Sequence, residues 1–329
     1  MPQTDYGDIS PRTAAYAAKE MLKRGTPYLV LEKFGQAKPL PRRSSKTIIF
    51  RRYESLSAVP NALTEGVTPA AKQLTKTDVT ATLDQYGDLV QISDVIDDTH
   101  EDPVLNEAVD VLGEQAAQMI EAVRFNVLKA GTNVFYANGT ATNQVNTPIS
   151  LAFQRKITRA MKRQNARFIT RVVRSTPDYG TESVAASFIG LCHSDLEADV
   201  RGLPGFVPVE KYGSMTPYES EIGKVEDVRY ISSTVFEPWA DAGGAAGSML
   251  STGGANADVY PVLYIGANAY GIVPLKGKNA ITPSVINPNK PSSADPLGQR
   301  GFAGWKCYQT AVILNDLWMA VGKVAVTAL

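Results

Sequence analysis

Between Asp102 and Gly131 the apolar residues recur in steps of four and three, at Leu105, Val109, Leu112, Ala116, Met119, Val123 and Val127. That spacing keeps one face of an α-helix apolar. Asp102 suits the N-cap, Pro103 the first helical position and Gly131 the C-terminal cap, so the pattern predicts a helix over residues 103–130. At ~1.5 Å rise per residue it is roughly 40 Å long, whereas a mean globular helix has ~11 to 12 residues. Such a rod should act as a spine for whatever packs on it. Gly113 in its middle costs about 1 kcal/mol relative to alanine, which predicts close approach of another backbone there.

Upstream, Lys46–Tyr53 and Val79–Ile92 are extended runs, the second alternating Val79, Ala81 and Leu83 with Thr80, Thr82 and Asp84. Between them Pro60, Gly66 and Pro69 interrupt a stretch without periodicity. Two strands around some two dozen loop residues make a long, arm-like hairpin, and a loop of that size is usually functional or disordered. Ahead of it, Ser10-Pro11 opens an amphipathic run to Arg24 that Gly25-Thr26-Pro27 stops, which predicts an N-terminal arm helix. Downstream the pattern is mixed. Ser150–Asn165 predicts a helix with Phe153, Ile157, Ala160 and Met161 on one face and Arg155, Lys156, Arg159, Lys162 and Arg163 on the other. Phe168–Val173, Ser187–Cys192, Val228–Ser232, Val262–Gly266 and Ala311–Leu314 read as strands, with a brief helix near Ser194. Glu237–Asp258, rich in Gly, Ala and Ser, predicts a flexible surface loop, and Pro283–Pro296 a rigid connector.

Charge is segregated along the chain. Lys plus Arg and Asp plus Glu number 33 each, so no bulk positive field favours nucleic acid. Yet Gln36–Lys76 holds eight basic residues against Glu54 and Glu65, a net of +6, while Asp78–Glu121 holds twelve acidic residues and no Lys or Arg. A single charge run is commonly a solvated face. Opposed blocks on one chain can also neutralise each other between copies, which points to head-to-tail self-association of the kind that closes into rings. The expected contact places Arg42, Arg43, Lys46, Arg51 and Arg52 against Asp94, Asp97, Asp98, Glu101 and Asp102 of a neighbour.

Catalytic signals are thin. There are two histidines and two cysteines, Cys192 and Cys307, with no pairing or metal-ligand spacing. His100 in Asp97-Asp98-Thr99-His100-Glu101-Asp102 matches neither a helical His pair nor a calcium loop, and a helix cap is the better account. Cys192 and His193 are adjacent on a strand and point to opposite faces. No phosphate-binding loop occurs, and the glycines of Ala242–Gly247 do not join a strand to a helix. The basic face at 155–163, continued by Arg167, Arg171 and Arg174, can meet DNA phosphates, but without interleaved aromatics a solvated or intersubunit face is the simpler reading. No enzyme, metal or cofactor is expected. No run approaches the ~20 apolar residues of a membrane span, and Met1–Ser10 has no secretory pattern.

The order of parts resembles the tailed-phage major capsid protein fold of the Hong Kong-97 type. Gln85-Tyr86-Gly87-Asp88, Ile92-Ser93-Asp94-Val95, the spine helix, Gly223-Lys224-Val225-Glu226-Asp227-Val228-Arg229 and Asp295–Gly301 through Gly304-Trp305-Lys306 resemble, more narrowly, the coliphage N-four family of major capsid proteins. The resemblance implies an α+β fold with an N-terminal arm (1–35), an extended hairpin loop (36–93), a peripheral domain with the spine helix (94–148), an axial domain (149–296, flexible loop 237–258) and C-terminal strands returning to the core (297–329). It implies self-assembly into pentamers and hexamers of an icosahedral shell around double-stranded DNA, in a virion or prophage head built in the host cytoplasm. No scaffolding extension is read ahead of Met1, so scaffold is expected as a separate protein, beside a portal and a decoration protein. The alternatives are an encapsulin-like nanocompartment shell with the same fold and, more distantly, a hydrolase using Asp and Glu side chains.

Overall fold

A computed structural model of the chain describes residues 28–41, 43, 45–60, 62–63, 65–99, 104–173, 181–213, 216–275, 281–289, 291 and 295–329. The expected arm helix at Ser10–Arg24 lies outside them, as do Arg42, His100, Glu101, Asp102, Pro103 and Arg174.

The described chain enters through a helical turn at Leu31–Lys33 and strand β1 (Gln36–Ala37). Strands β2 (Thr47–Tyr53) and β3 (Lys76–Thr82) then pair antiparallel, from Thr47 opposite Thr82 to Tyr53 opposite Lys76, and form the expected hairpin with 54–75 as its loop. The second extended run does not stay in the hairpin. It breaks at buried Leu83 and continues as β4 (Asp84–Ser93) into helix α1 (Asp94–Thr99). The spine is α2 (Val104–Lys129), 26 residues long. After β5 (Val134–Tyr136), α3 (Leu151–Arg163) begins where the Ser150 hydroxyl accepts the Phe153 N–H, the N-cap geometry that satisfies an otherwise orphaned donor. Strands β6 (Ile169–Val173) and β7 (Thr181–Cys192), helix α4 (Glu197–Arg201) and strands β8 (Phe206–Pro208), β9 (Glu221–Val225) and β10 (Val228–Ser232) follow. The chain ends with β11 (Tyr260–Ile265), β12 (Tyr270–Ile272), β13 (Thr282–Ile286), β14 (Arg300–Gln309), β15 (Ala311–Ile313) and β16 (Met319–Val324).

The central sheet runs β5-β16-β11-β7-β10-β9-β8, with β6 paired to β7. Both its faces are covered, so β11 is buried at every residue. On one face Tyr260, Val262 and Tyr264 meet Phe153, Ile157 and Met161 of α3 and Val200 of α4. On the other, Leu263 and Ile265 meet Phe125 and Leu128 from the end of the spine, together with Val30, Leu31 and Phe34. A second sheet, β13-β14-β4, is covered by the first half of the spine. Alternate residues of β14, Ala303, Trp305 and Cys307, face Val109, Leu112, Ala116 and Ile120. The spine thus serves two cores.

That double duty corrects the apolar stripe expected on the spine. Val109, Leu112 and Ala116 are buried as the spacing predicts, but beyond them the buried positions become Ala117, Ile120, Glu121, Arg124, Phe125 and Leu128, and Met119, Val123 and Val127 are only half-buried. The stripe turns because the second core lies in a different direction from the first. Gly131 does end the helix, donating to the Leu128 carbonyl at 3.1 Å, but not as a left-handed cap, since its φ is not positive. A Cβ there would come within 2.8 Å of Met319 Cε, the movable end of a flexible side chain, and 3.2 Å of the Leu128 carbonyl oxygen, so the glycine marks a close approach. The expected connector at Pro283–Pro296 begins instead inside β13, where Pro283 is tolerated because β13 is an edge strand. The glycine-rich stretch 237–258 is knit into the fold: Trp239 N–H donates to Val259, Gly243 N–H to Ala257, and Asp241 N–H to the buried Asp258 carboxylate at 2.7 Å.

Candidate assembly surface

The hairpin carries the residues singled out by charge. Thr, Ile and Phe side chains give β2 its extended preference, and Phe50 alone is fully buried, against Leu40, Ala81, Leu83 and Val273 at the hairpin root. The loop beyond is different. Leu56, Val59, Leu63, Val67 and Leu74 are all more than half exposed, up to 73 % for Leu63. Five large apolar side chains in one loop are an unusual exposure for a subunit meant to stay alone.

Its cations divide into two groups. Arg51 donates through Nε and Nη2 to the Asp78 carboxylate at 2.8 and 3.0 Å, directly across the ladder, and this pairing holds the Asp78 carboxyl below its usual range. Lys46 lies 3.1 Å from Asp84, and Arg52 donates to Glu54 at 2.9 Å with its guanidinium over the Trp318 ring. Part of the opposed charge is therefore neutralised within the subunit. Arg43 stands apart: it is exposed, has φ 57°, and has no acidic partner among the described residues. A cleft of about 330 Å³ at the hairpin root is lined by Lys38, Phe50, Arg51, Arg52 and Trp318.

On the acidic side, α1 presents Val95 and Ile96 to solvent beside its carboxylates. The Asp94 side chain accepts the Val95 N–H at 2.8 Å, and exposed Asp98 accepts from Asn289 Nδ2 at 3.1 Å. Asp97 belongs to the same helix. Among the described residues no hydrogen bond or ion pair joins Asp94 or Asp98 to the basic hairpin, whereas Asp78 and Asp84 of the same acidic block are paired with it.

Sequence reasoning missed two buried polar clusters. Glu121, in the middle of the spine, accepts the backbone N–H groups of Val30 and Leu31 at 3.1 and 2.8 Å through one oxygen, while Tyr28 donates to Glu114 and Arg124 reaches Glu32 at 3.4 Å. These bonds strap residues 28–32 along the spine. Burial pushes the Glu121 carboxyl up to about 7 against the pull of Arg124 and the two N–H donors. The second cluster is Arg229, which donates Nε to Glu221 at 2.7 Å and lies over the rings of Tyr218 and Tyr212 at 3.9 and 5.6 Å. Glu121 falls on the turned part of the spine stripe, and an acid at a buried helical position is the signal that would have found it.

The remaining candidates do not assemble into a site. The buried Cys192 thiol donates to the Ile231 carbonyl and is pushed up to about 12 by desolvation, while His193 accepts from the Asp195 N–H. Among the described residues no group of three or more His, Cys, Asp or Glu could hold a metal ion, and no helix is long and apolar enough to cross a membrane. On α3, Arg155 and Lys162 pair with Glu226 and Asp227, which leaves Lys156, Arg159 and Arg163 exposed with no acidic partner among the described residues.

Residues 76–324 match the family described as phage capsid protein. The chain belongs to that family. A comparison with curated protein sequences finds no match. Among solved structures, this capsid protein is similar to the capsid of Ralstonia phage GP4 (TM-score 0.65, 11 % identity, 89 % of this chain and 87 % of that one) and to the cyanophage Pam1 capsid (0.64, 14 %, 93 % and 92 %). It is also similar to the encapsulin complex of Synechococcus elongatus (0.54, 12 %, 93 % and 89 %). At such identities the likeness establishes the fold, which is α+β of the Hong Kong-97 type. Family and fold together make this a major capsid protein of a tailed phage, and the encapsulin alternative is the weaker one because the family match lies with phage capsids.

Proposed function

We propose that copies of this capsid protein join head to tail through the hairpin, its basic flank (Arg42, Arg43, Lys46, Arg51, Arg52) facing the acidic start of a neighbour's spine (Asp94, Asp97, Asp98, Glu101, Asp102), to form the pentamers and hexamers of an icosahedral shell. The observation that carries this is the exposed apolar loop at 54–75, a surface that a single subunit leaves wet. Exposed ion pairs contribute only ~0 to 1 kcal/mol each, so the charges fix register and encounter while the apolar side chains supply the affinity. The short phrases at 85–88, 92–95, 223–229 and 295–306 support placing the chain nearest the coliphage N-four type. Scaffolding, portal and decoration proteins act as separate partners during assembly in the host cytoplasm. Packaged DNA is met through phosphates alone, and Lys156, Arg159 and Arg163, exposed and without an acidic partner among the described residues, are suited to that. No catalytic step is required of the chain.

Reversal of Arg51 and Arg52 to Glu should leave far fewer closed shells in electron micrographs. Because both also bond within the hairpin, Arg43→Glu is the cleaner companion: it breaks no ion pair of the described subunit, so circular dichroism should be unchanged while shells are lost or malformed. Normal shells from both variants would overturn the charge-guided contact.

A further inference from the structure

The strap at residues 28–34 crosses three parts of the fold. Along the spine, Tyr28 donates to Glu114, the Val30 and Leu31 N–H groups donate to Glu121, and Arg124 reaches Glu32. At β12, the buried Tyr270 hydroxyl donates to the Leu31 carbonyl. The far end meets the turn before β9, where Lys33 Nζ donates to Glu219 at 2.8 Å and the Phe34 ring meets Tyr218 edge-on at 5.2 Å. Glu221 holds that turn from below: its carboxylate accepts the Tyr218 N–H at 2.7 Å and pairs with buried Arg229. One short segment therefore connects the middle of the spine to the β9-β8 side of the central sheet.

The fastening at Glu121 is chemically costly. The side chain is fully buried; one oxygen accepts both strap N–H groups, and Oε2 has no hydrogen-bond partner among the described residues. An ionised carboxylate here places charge on an oxygen that nothing solvates. Few charged or titratable groups face it: Arg124 from its own helix, with Nε unpartnered among the described residues, Glu32 from the strap and Tyr270 from β12. Arg124 is shared with Glu32, so its pull on Glu121 is divided. Burial outweighs that pull, which is why the carboxyl sits at about 7 against 4.5 for the free side chain. Lifting the strap admits water to the carboxyl, so the closed strap holds a proton that the open one releases.

We propose that residues 28–34 are a proton-controlled latch, which undocks from the spine more readily as pH rises, and that the turn at 216–219 loosens with it. Closure is most favoured below about pH 4.5 and weakens progressively up to about pH 7, because each step of pH in that window favours the state that has released the proton. Lys33 and Phe34 carry the motion to the turn, since they leave with the strap and take their contacts with Glu219 and Tyr218 away.

The test is amide exchange of unassembled full-length subunits at pH 5 and pH 8, with each rate divided by its intrinsic value at that pH. Protection of the 28–34 peptide is expected to fall on the order of a hundredfold between the two, and that of 216–221 to fall with it. The 109–118 peptide of the spine should keep its protection. Glu121→Gln should remove the pH dependence at both sites, whereas Phe34→Leu should keep it at 28–34 and remove most of it from 216–221. In the wild type, 13C-labelled glutamate should show one carboxyl titrating near pH 7, a reading that needs no variant. The latch is overturned by protection at 28–34 that ignores pH, by a pH dependence that survives Glu121→Gln, by loss that occurs only together with the spine peptide, or by the absence of that carboxyl. A 216–221 peptide that stays protected while 28–34 opens overturns the coupling.

Discussion

Glu121 occupies a position where the helix needs an apolar side chain and the incoming strap needs an acceptor. It satisfies the second need at the expense of the first, with Arg124, Glu32 and Tyr270 as the charged and titratable groups nearest it. Its folded carboxyl titrates at about 7 against 4.5 for the free side chain, so the native state holds a proton that the unfolded chain releases. Stability from this group is therefore complete below about pH 4.5 and is lost as pH rises through about 7, a change on the order of 3 kcal/mol. Glu121→Gln keeps an oxygen for Val30 and Leu31 and removes the titration. Denaturant midpoints of unassembled subunits at pH 5 and pH 8 should converge in this variant and differ in the wild type; equal midpoints in the wild type would contradict the account. At this scale sequence reading did least well. The cations of the hairpin were legible from composition, but that Arg51 faces Asp78 required the register, and that Glu121 and Arg229 are buried required the tertiary fold.

Among the elements, those defined by local periodicity were legible: β2, β3, the spine, α3, and the central strands whose apolar runs are continuous. Elements defined by their neighbours were not. β14 is glycine-rich, and its alternation is visible only once α2 covers Ala303, Trp305 and Cys307. β13 was hidden by Pro283, a residue that argues against a strand except at an edge. The loop 237–258 shows the same lesson, since Gly247 and Gly254 serve positive-φ turns while Gly243 is there because space is short. A Cβ on Gly243 would fall 2.3 Å from the Val145 carbonyl oxygen and 2.7 Å from that of Ala257, both backbone atoms that cannot step aside. Gly243→Ala should thus destabilise the subunit by about 1–3 kcal/mol, as overpacking does, and open 237–258 to limited proteolysis. A variant as protease-resistant as the wild type would show that the loop relaxes freely.

For the whole molecule, the fold keeps the segregation of charge only in part: Lys46 and Arg51 of the hairpin pair with Asp84 and Asp78 of the acidic block, whereas Asp94 and Asp98 of α1 form no ion pair with the hairpin among the described residues. Surface charge guides encounter and is screened within ~10 Å at 0.1 M salt, so the assembly rate followed by light scattering should fall several-fold between roughly 0.05 and 0.5 M NaCl. A rate that rises with salt would assign the contact to apolar burial alone. The architecture carries one more consequence. A single rod is clamped to one sheet by Val109–Ile120 and to another by Phe125 and Leu128. Torque that this rod carries between the two sheets crosses the helical turn from Ile120 to Arg124, the turn to which the strap is fastened.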